Sequence, residues 1–125
     1  MRNQPEYRLH YFVVQLLTLN RQPNIVFWHT PNGEYRSKRT AAKLATMGVL
    51  KGVADISIVL PGGRIAFLEL KAESGYLSAE QRAFRANVEG LGALYAVAKS
   101  PQDAEDILNE WGVLRGRREA VRRAA

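Results

Sequence analysis

The chain has 125 residues, enough for one domain with one hydrophobic core. It contains no cysteine, which excludes disulfides, thiolate nucleophiles and cysteine-ligated zinc, and no apolar run approaches the ~18 residues of a membrane span. The first eight residues lack the layout of a signal peptide, so we expect a protein of a reducing cytoplasm, bacterial or that of a phage-infected host.

The positive charge of the chain is unevenly placed. The net charge is +6, and residues 115–125, with five Arg and one Glu, hold +4 of it. Segment 36–51 carries five basic residues and no acidic one. Two basic clusters indicate a polyanionic partner, although a solvated face with a disordered tail has the same composition. We predict a single domain over 1–114 and a basic, disordered tail over 115–125.

The first half of the chain predicts a helix, a strand and a second helix. Apolar residues recur at helical spacing from Pro5 to about Asn20. Segment 24–30 is rich in β-branched and aromatic residues, which indicates a strand, and 31–36 is a loop with an Asn-Gly pair. Ser37 can cap a short helix that ends at Gly48.

The second half predicts a hairpin, a helix, a strand and a last helix. Strands 54–60 and 64–71 flank a Pro-Gly-Gly turn, and Ser78 with Gln81 forms a capping box for a helix to about Glu89. A strand over 93–98 precedes a helix from Ser100-Pro101 to near 111–112. The order α-β-α-β-β-α-β-α contains a crossover after the hairpin, so we expect an α/β fold with a mixed β-sheet flanked by helices.

The hairpin brings two acidic residues together if its loop has three residues. In that register Asp55 lies directly opposite Glu69 on the same face, with Cβ atoms about 4.5–5.5 Å apart. A two-residue loop would place Asp55 opposite Leu70 instead. Because side chains alternate along a strand, Lys71 projects from the same face as Glu69.

This trio fits phosphodiester hydrolysis. Two close carboxylates repel each other, so either one takes up a proton or a cation lies between them. Carboxylate oxygens suit Mg²⁺ or Mn²⁺, which can activate water, while the ammonium of Lys71 can position that water or stabilise the transition state. The alternative is structural: Glu69 and Lys71 form a surface ion pair, and Asp55 closes a turn.

Several spaced motifs agree in order with one known family: Gly52-x-x-Asp55, Pro61-Gly62-Gly63, Glu69-x-Lys71, Leu77-Ser78-x-x-Gln81 and the segment "ALYAVAKSPQDAEDIL". With these motifs the chain resembles the VRR-NUC domain of the PD-(D/E)-x-K nuclease superfamily, well over roughly residues 52–108 and more loosely in the N-terminal half. One position departs from the family pattern, because Ala54 stands where Pro usually precedes the aspartate.

The resemblance implies a restriction-endonuclease-like fold and a Mg²⁺- or Mn²⁺-dependent DNA endonuclease. It further implies branched DNA, such as a four-way junction, as substrate and a homodimer as the active unit. Lys71 would be the catalytic lysine, and Gln81 the helix glutamine that supports the site. The metal ligands would be Asp55, Glu69, the Leu70 carbonyl and Glu6, the only acid on the first helix.

Other polar residues have weaker predicted roles. We expect His10 and His29 to be packed or surface residues rather than catalytic bases. A donor-rich loop region is predicted to contact the DNA backbone through Asn32, Arg36, Lys38 and Arg39. Two other functions stay open: a non-catalytic nucleic-acid-binding module on the same fold, and a small basic structural protein.

Overall fold

The computed structural model describes residues 4–31 and 37–116, and within them the elements follow the predicted order. The strands are shorter than the sequence pattern predicts, and the first helix begins one residue earlier. The helices are α1 (Gln4–Asn20), α2 (Lys38–Thr46), α3 (Ala79–Gly90) and α4 (Pro101–Glu110). The strands are β1 (Val26–His29), β2 (Ile56–Val59), β3 (Ile65–Leu70) and β4 (Leu94–Ala98).

The four strands form one mixed sheet in the order β1-β2-β3-β4. Strand β2 runs antiparallel to both β1 and β3, whereas β4 runs parallel to β3. The parallel pair is connected through α3, which is the crossover that the sequence predicts. The hairpin strands therefore lie in the centre of the sheet, as their apolar character indicates.

The hairpin turns through a single 3₁₀ turn, Pro61–Gly63. Gly62 and Gly63 have φ of +87° and +85°, a region in which residues with a Cβ are strained. The turn is closed by a hydrogen bond of 2.8 Å from the Leu60 N–H to the Arg64 carbonyl. The loop thus has the three residues on which the predicted register depends.

Helices cover both faces of the sheet. Helices α1 and α4 pack over one face and enclose the larger core, whereas α3 packs over the other face with a smaller aromatic cluster. None of the residues of α2 is buried. No described helix is long and apolar enough to cross a bilayer. The largest fully buried apolar side chains of the core are Leu17, Ile56, Ile58, Leu68, Leu70 and Leu108.

The last described residues pair with the end of α1 and the start of the connection to β1. Arg21 and Leu114 form an isolated antiparallel bridge, and the Arg115 N–H donates to the Asn20 carbonyl over 2.8 Å. The first residue of the predicted tail is therefore attached to the domain. The rest of that tail, from residue 117, lies outside the described residues.

Candidate functional site

Asp55 and Glu69 lie opposite each other at one end of the β2–β3 hairpin. Ile56 pairs with Leu68, so the next pair outward joins Asp55, at the bend before β2, to Glu69. The Asp55 N–H donates to Oε1 of Glu69 over 3.2 Å, and the Leu70 N–H donates to Oδ2 of Asp55 over 2.9 Å. The three-residue-loop register is confirmed, and each carboxylate is anchored to the backbone of the facing strand.

Glu69 is a buried acid with an unsatisfied oxygen. Its residue is 2% exposed, and Oε2 has no hydrogen-bond partner among the described residues. The pKa of Glu69 is raised to about 9, first by burial and then by the side-chain hydrogen bond to Asp55 and the Asp55 charge. The charge of Lys71 and the hydrogen bond from the Asp55 backbone oppose the shift. A buried carboxylate whose neighbour is another acceptor needs a proton or a cation.

Side chains alternate between the two faces of the sheet along β3, and helix α3 covers the face on which Glu69 lies. Leu68 and Leu70 point into the core under α1 and α4, so Glu69 points to the opposite face, beneath α3. That face holds the aromatic cluster that includes Phe84 and Tyr95. Burial raises the pKa of the Tyr95 hydroxyl, and so does the negative charge of Glu69. The carboxyl group of Glu69 is therefore set against a largely apolar, water-poor surface.

Gly52 brings the loop that leads to Asp55 against the helix that carries Gln81. Its φ is +84°, and a Cβ at this position would overlap the Glu80 carbonyl and lie 2.9 Å from the Gln81 nitrogen. The loop before β2 thus rests directly on the first turn of α3. The first residue of the Gly52-x-x-Asp55 motif has a packing role, which the sequence alone did not reveal.

The capping box at the start of α3 is confirmed. The Gln81 N–H donates to Oγ of Ser78 over 3.1 Å, and the Ser78 N–H donates to Oε1 of Gln81 over 2.8 Å. The oxygen of the Gln81 amide is therefore engaged in capping. The support of the site by Gln81 stays a prediction.

Lys71 directly follows β3. Its backbone N–H donates to the Ala98 carbonyl over 3.0 Å, which continues the pairing with β4 by one residue. Its side chain is half-buried, and its charge acts on Glu69. The role of Lys71 as the catalytic lysine stays a prediction.

Two histidines join Asp55 in a group that could hold a metal ion. One ring nitrogen each of His10 and His29 and one carboxylate oxygen of Asp55 all lie within 4.8 Å of one another. The two rings meet edge to face, with centroids 4.3 Å apart. His10 is on α1, one helical turn after Glu6, whose predicted role as a ligand stays a prediction.

This grouping was missed because it depends on two long-range pairings. His29 is the last residue of β1 and pairs with Ile56, the residue after Asp55. No short loop sets the register of these two strands, so the spacing of the residues does not predict it. The sequence therefore favoured packed or surface roles for both histidines, and only the fold brings them to the acid pair.

Two of the four residues predicted to contact DNA lie in the part of the chain that the structure describes. Lys38 and Arg39 are exposed in the first turn of α2, which Ser37 caps. Asn32 and Arg36 lie outside the described residues. The role of all four residues in DNA binding stays a prediction.

Solved structures share this fold. No family model matches the sequence, and no curated protein matches it. A structure named "VRR_NUC domain protein" superimposes with a TM-score of 0.71 at 19% identity, covering 93% of this chain and 100% of its own. A second, named "VRR_NUC domain", has a TM-score of 0.62 at 17% identity, with coverage of 87% and 99%. The chain therefore has the VRR-NUC fold, and the predicted α/β class is confirmed.

Proposed function

We propose that this protein is a divalent-metal-dependent endonuclease that hydrolyses DNA phosphodiester bonds. The observation that carries the proposal is the buried Glu69 carboxyl, with its unpartnered Oε2, held opposite Asp55 in a VRR-NUC fold. A buried acid beside a second acid destabilises a fold unless a proton or cation compensates it, so its presence is typical of a functional site.

The residues present fit a hard divalent cation. Asp55 and Glu69 supply carboxylate oxygens, which Mg²⁺ and Mn²⁺ prefer. The Leu70 carbonyl is the proposed third ligand. The Leu70 N–H donates to Asp55, and the N–H and C=O of a strand residue point to the same side, which supports this assignment. Glu6 on α1 completes the proposed set. When bound, the ion would lower the pKa of a water molecule and neutralise charge on the phosphoryl oxygen.

The residues of the chain supply orientation and charge around that centre. The backbone hydrogen bonds from the facing strands hold both carboxylates in one orientation, so little reorganisation is needed on binding. Lys71 places a positive charge beside the acids, where it would stabilise negative charge that develops on the phosphate. The apolar surface around Tyr95 would exclude water and strengthen these electrostatic interactions.

DNA is the proposed polyanion. The net charge of +6 supports binding to a phosphate backbone, and the exposed Lys38 and Arg39 lie on a helix that buries none of its residues. We further propose branched DNA as the substrate and a homodimer as the active unit. Both follow from the sequence resemblance to small VRR-NUC members.

The test is metal-dependent cleavage together with a lysine variant. We expect the wild-type protein to cut four-way-junction, flap or linear DNA with Mn²⁺ but not with EDTA. Lys71→Met should lower kcat by about 100-fold or more, the usual effect of removing one donor that stabilises the transition state, and should still bind Mn²⁺. Arg64→Met, on the exposed side of the hairpin turn, should keep kcat.

Two results would contradict the proposal. Cleavage by Lys71→Met at the wild-type rate would exclude the assigned role of this lysine. Binding of DNA with a steep salt dependence, but with no cleavage of any of the three substrates, would identify a non-catalytic binding module instead.

A further inference from the structure

We propose that His10, His29 and Asp55 form a separate binding position for a transition metal, such as Co²⁺, Ni²⁺ or Zn²⁺, next to the acid pair and sharing Asp55 with it. The observation behind the proposal is the convergence of two ring nitrogens and one carboxylate oxygen within 4.8 Å. The two histidines come from different elements, α1 and the end of β1, so neighbouring positions in sequence do not explain their meeting.

The donor set selects the class of ion. Imidazole nitrogen is a good ligand for zinc, nickel, cobalt and copper, whereas Mg²⁺ prefers oxygen. Two imidazoles and one carboxylate leave further coordination positions for water or substrate, as in catalytic rather than structural metal sites. The acid pair and the histidine group therefore differ in the ions they prefer, although they share one residue.

A backbone carbonyl selects the tautomer of the neutral His29 ring. Its Nδ1 lies 2.8 Å from the Asp55 carbonyl oxygen, which also accepts from the Thr30 N–H at 3.0 Å. A carbonyl oxygen can only accept, so Nδ1 must carry the proton, and Nε2 of the neutral ring keeps its lone pair. Histidine ligands of metals commonly donate their second ring N–H to a carbonyl in this way.

Asp55 contributes an oriented carboxylate to this position. Its Oδ2 accepts from the Leu70 N–H, which fixes the carboxylate, and one of its two oxygens lies within 4.8 Å of both ring nitrogens. Ligands at a bond length of about 2.1 Å in a tetrahedron lie about 3.4 Å apart, so the three groups need only a short closing movement.

The position is also open to solvent. His29 is exposed and His10 half-buried, which lets an ion reach the site. The inference does not rest on nuclease activity, because it concerns ion binding alone.

Cobalt binding tests the proposal. The chain has two histidines and no cysteine, so histidine coordination can be traced to these two side chains. We would titrate Co²⁺ into the metal-free protein by calorimetry and record the visible absorption of the bound ion. We expect His29→Gln and His10→Gln each to weaken Co²⁺ binding by about tenfold or more, and Glu69→Gln to retain a histidine-dependent binding event. Glu110→Gln, at the exposed end of α4, serves as the matched control.

Two outcomes would overturn the proposal. One is Co²⁺ binding that is lost in Glu69→Gln but unchanged in both histidine variants, which would restrict binding to the acid pair. The second outcome is measured on the wild-type protein, so it does not depend on whether a variant folds. Saturation with Zn²⁺ should shift the imidazole ¹⁵N resonances of both histidines, and unshifted resonances would exclude the site.

Discussion

Asp55 and Glu69 are held opposite each other by two hydrogen bonds from the backbone. The Asp55 N–H donates to the Glu69 carboxyl, and the N–H of Leu70, the residue after Glu69, donates to the Asp55 carboxylate. This reciprocal arrangement holds two acids together at the end of the hairpin. Their separation is therefore set by strand register rather than by flexible side chains. Because Glu69 is buried beside this second acid, the pH dependence of stability is a direct measure of the site.

The metal-free protein should lose stability as the pH rises. Glu69 has an ordinary pKa of 4.5 and a pKa of about 9 in the fold. Between these values the unfolded chain releases a proton that the folded chain keeps, so the free energy of unfolding falls by about 1.4 kcal/mol per pH unit. Glu69→Gln should lack this contribution. Urea unfolding at pH 6, 7 and 8 in EDTA would measure the difference between the two proteins.

Groups that titrate in both the wild-type protein and Glu69→Gln contribute equally to the two curves, so the difference between the curves reports Glu69 alone. Glu110→Gln, which removes an exposed carboxyl, should follow the wild-type dependence on pH. If the wild-type and Glu69→Gln curves ran parallel between pH 6 and 8, the raised pKa of Glu69 would be wrong.

Gly52→Ala should destabilise the protein. The new Cβ would overlap the Glu80 carbonyl, at a φ of +84° that alanine rarely adopts. We expect a loss of about 1–3 kcal/mol in the free energy of unfolding, the usual cost of a strained backbone position. Gly90→Ala is the control, because Gly90 lies in α3 with open space around its Cβ position.

The control should be neutral or stabilising by up to about 1 kcal/mol, since alanine favours a helix more than glycine does. Equal stabilities of the two variants in urea unfolding would show that the close approach of Gly52 to α3 has no energetic role.

The hairpin and the acid pair could be predicted because they are local. A three-residue turn links β2 to β3, and its length sets which residues face Asp55. The burial of Glu69 could not be predicted in the same way, since it depends on α3 packing over that face. The histidine group depends on the β1–β2 register and on the position of α1, and no local signal sets either.

Salt dependence should reveal the DNA contacts of α2. If Lys38 and Arg39 each neutralise one phosphate, the double variant Lys38→Gln/Arg39→Gln should make the plot of log binding constant against log salt concentration less steep, by about two in the slope. Arg64→Gln is the control: its Nε donates to the Gly92 carbonyl over 3.0 Å, beside the hairpin turn at the far end of the strands from Asp55. Binding would be measured on duplex DNA in EDTA. Equal slopes for the wild-type protein and the α2 variant would exclude these contacts.

Gln81→Glu should separate helix capping from support of the site. Glutamate also serves in a capping box, so its carboxylate can accept from the Ser78 N–H as the amide oxygen does. The free energy of unfolding should therefore stay within about 0.5 kcal/mol of wild type. The variant replaces the NH₂ donor of Gln81 with a negatively charged oxygen. If Gln81 supports the site, kcat should fall while stability does not.

Ser78→Ala is the matched variant for the capping role alone. It removes the hydroxyl that accepts from the Gln81 N–H, which should cost about 1 kcal/mol of stability. Because Ser78 is not placed at the site, kcat of the folded fraction should be kept. A Gln81→Glu protein with wild-type kcat and wild-type stability would restrict the role of Gln81 to helix capping. The close approach of Gly52 to the first turn of α3 would then serve packing rather than catalysis.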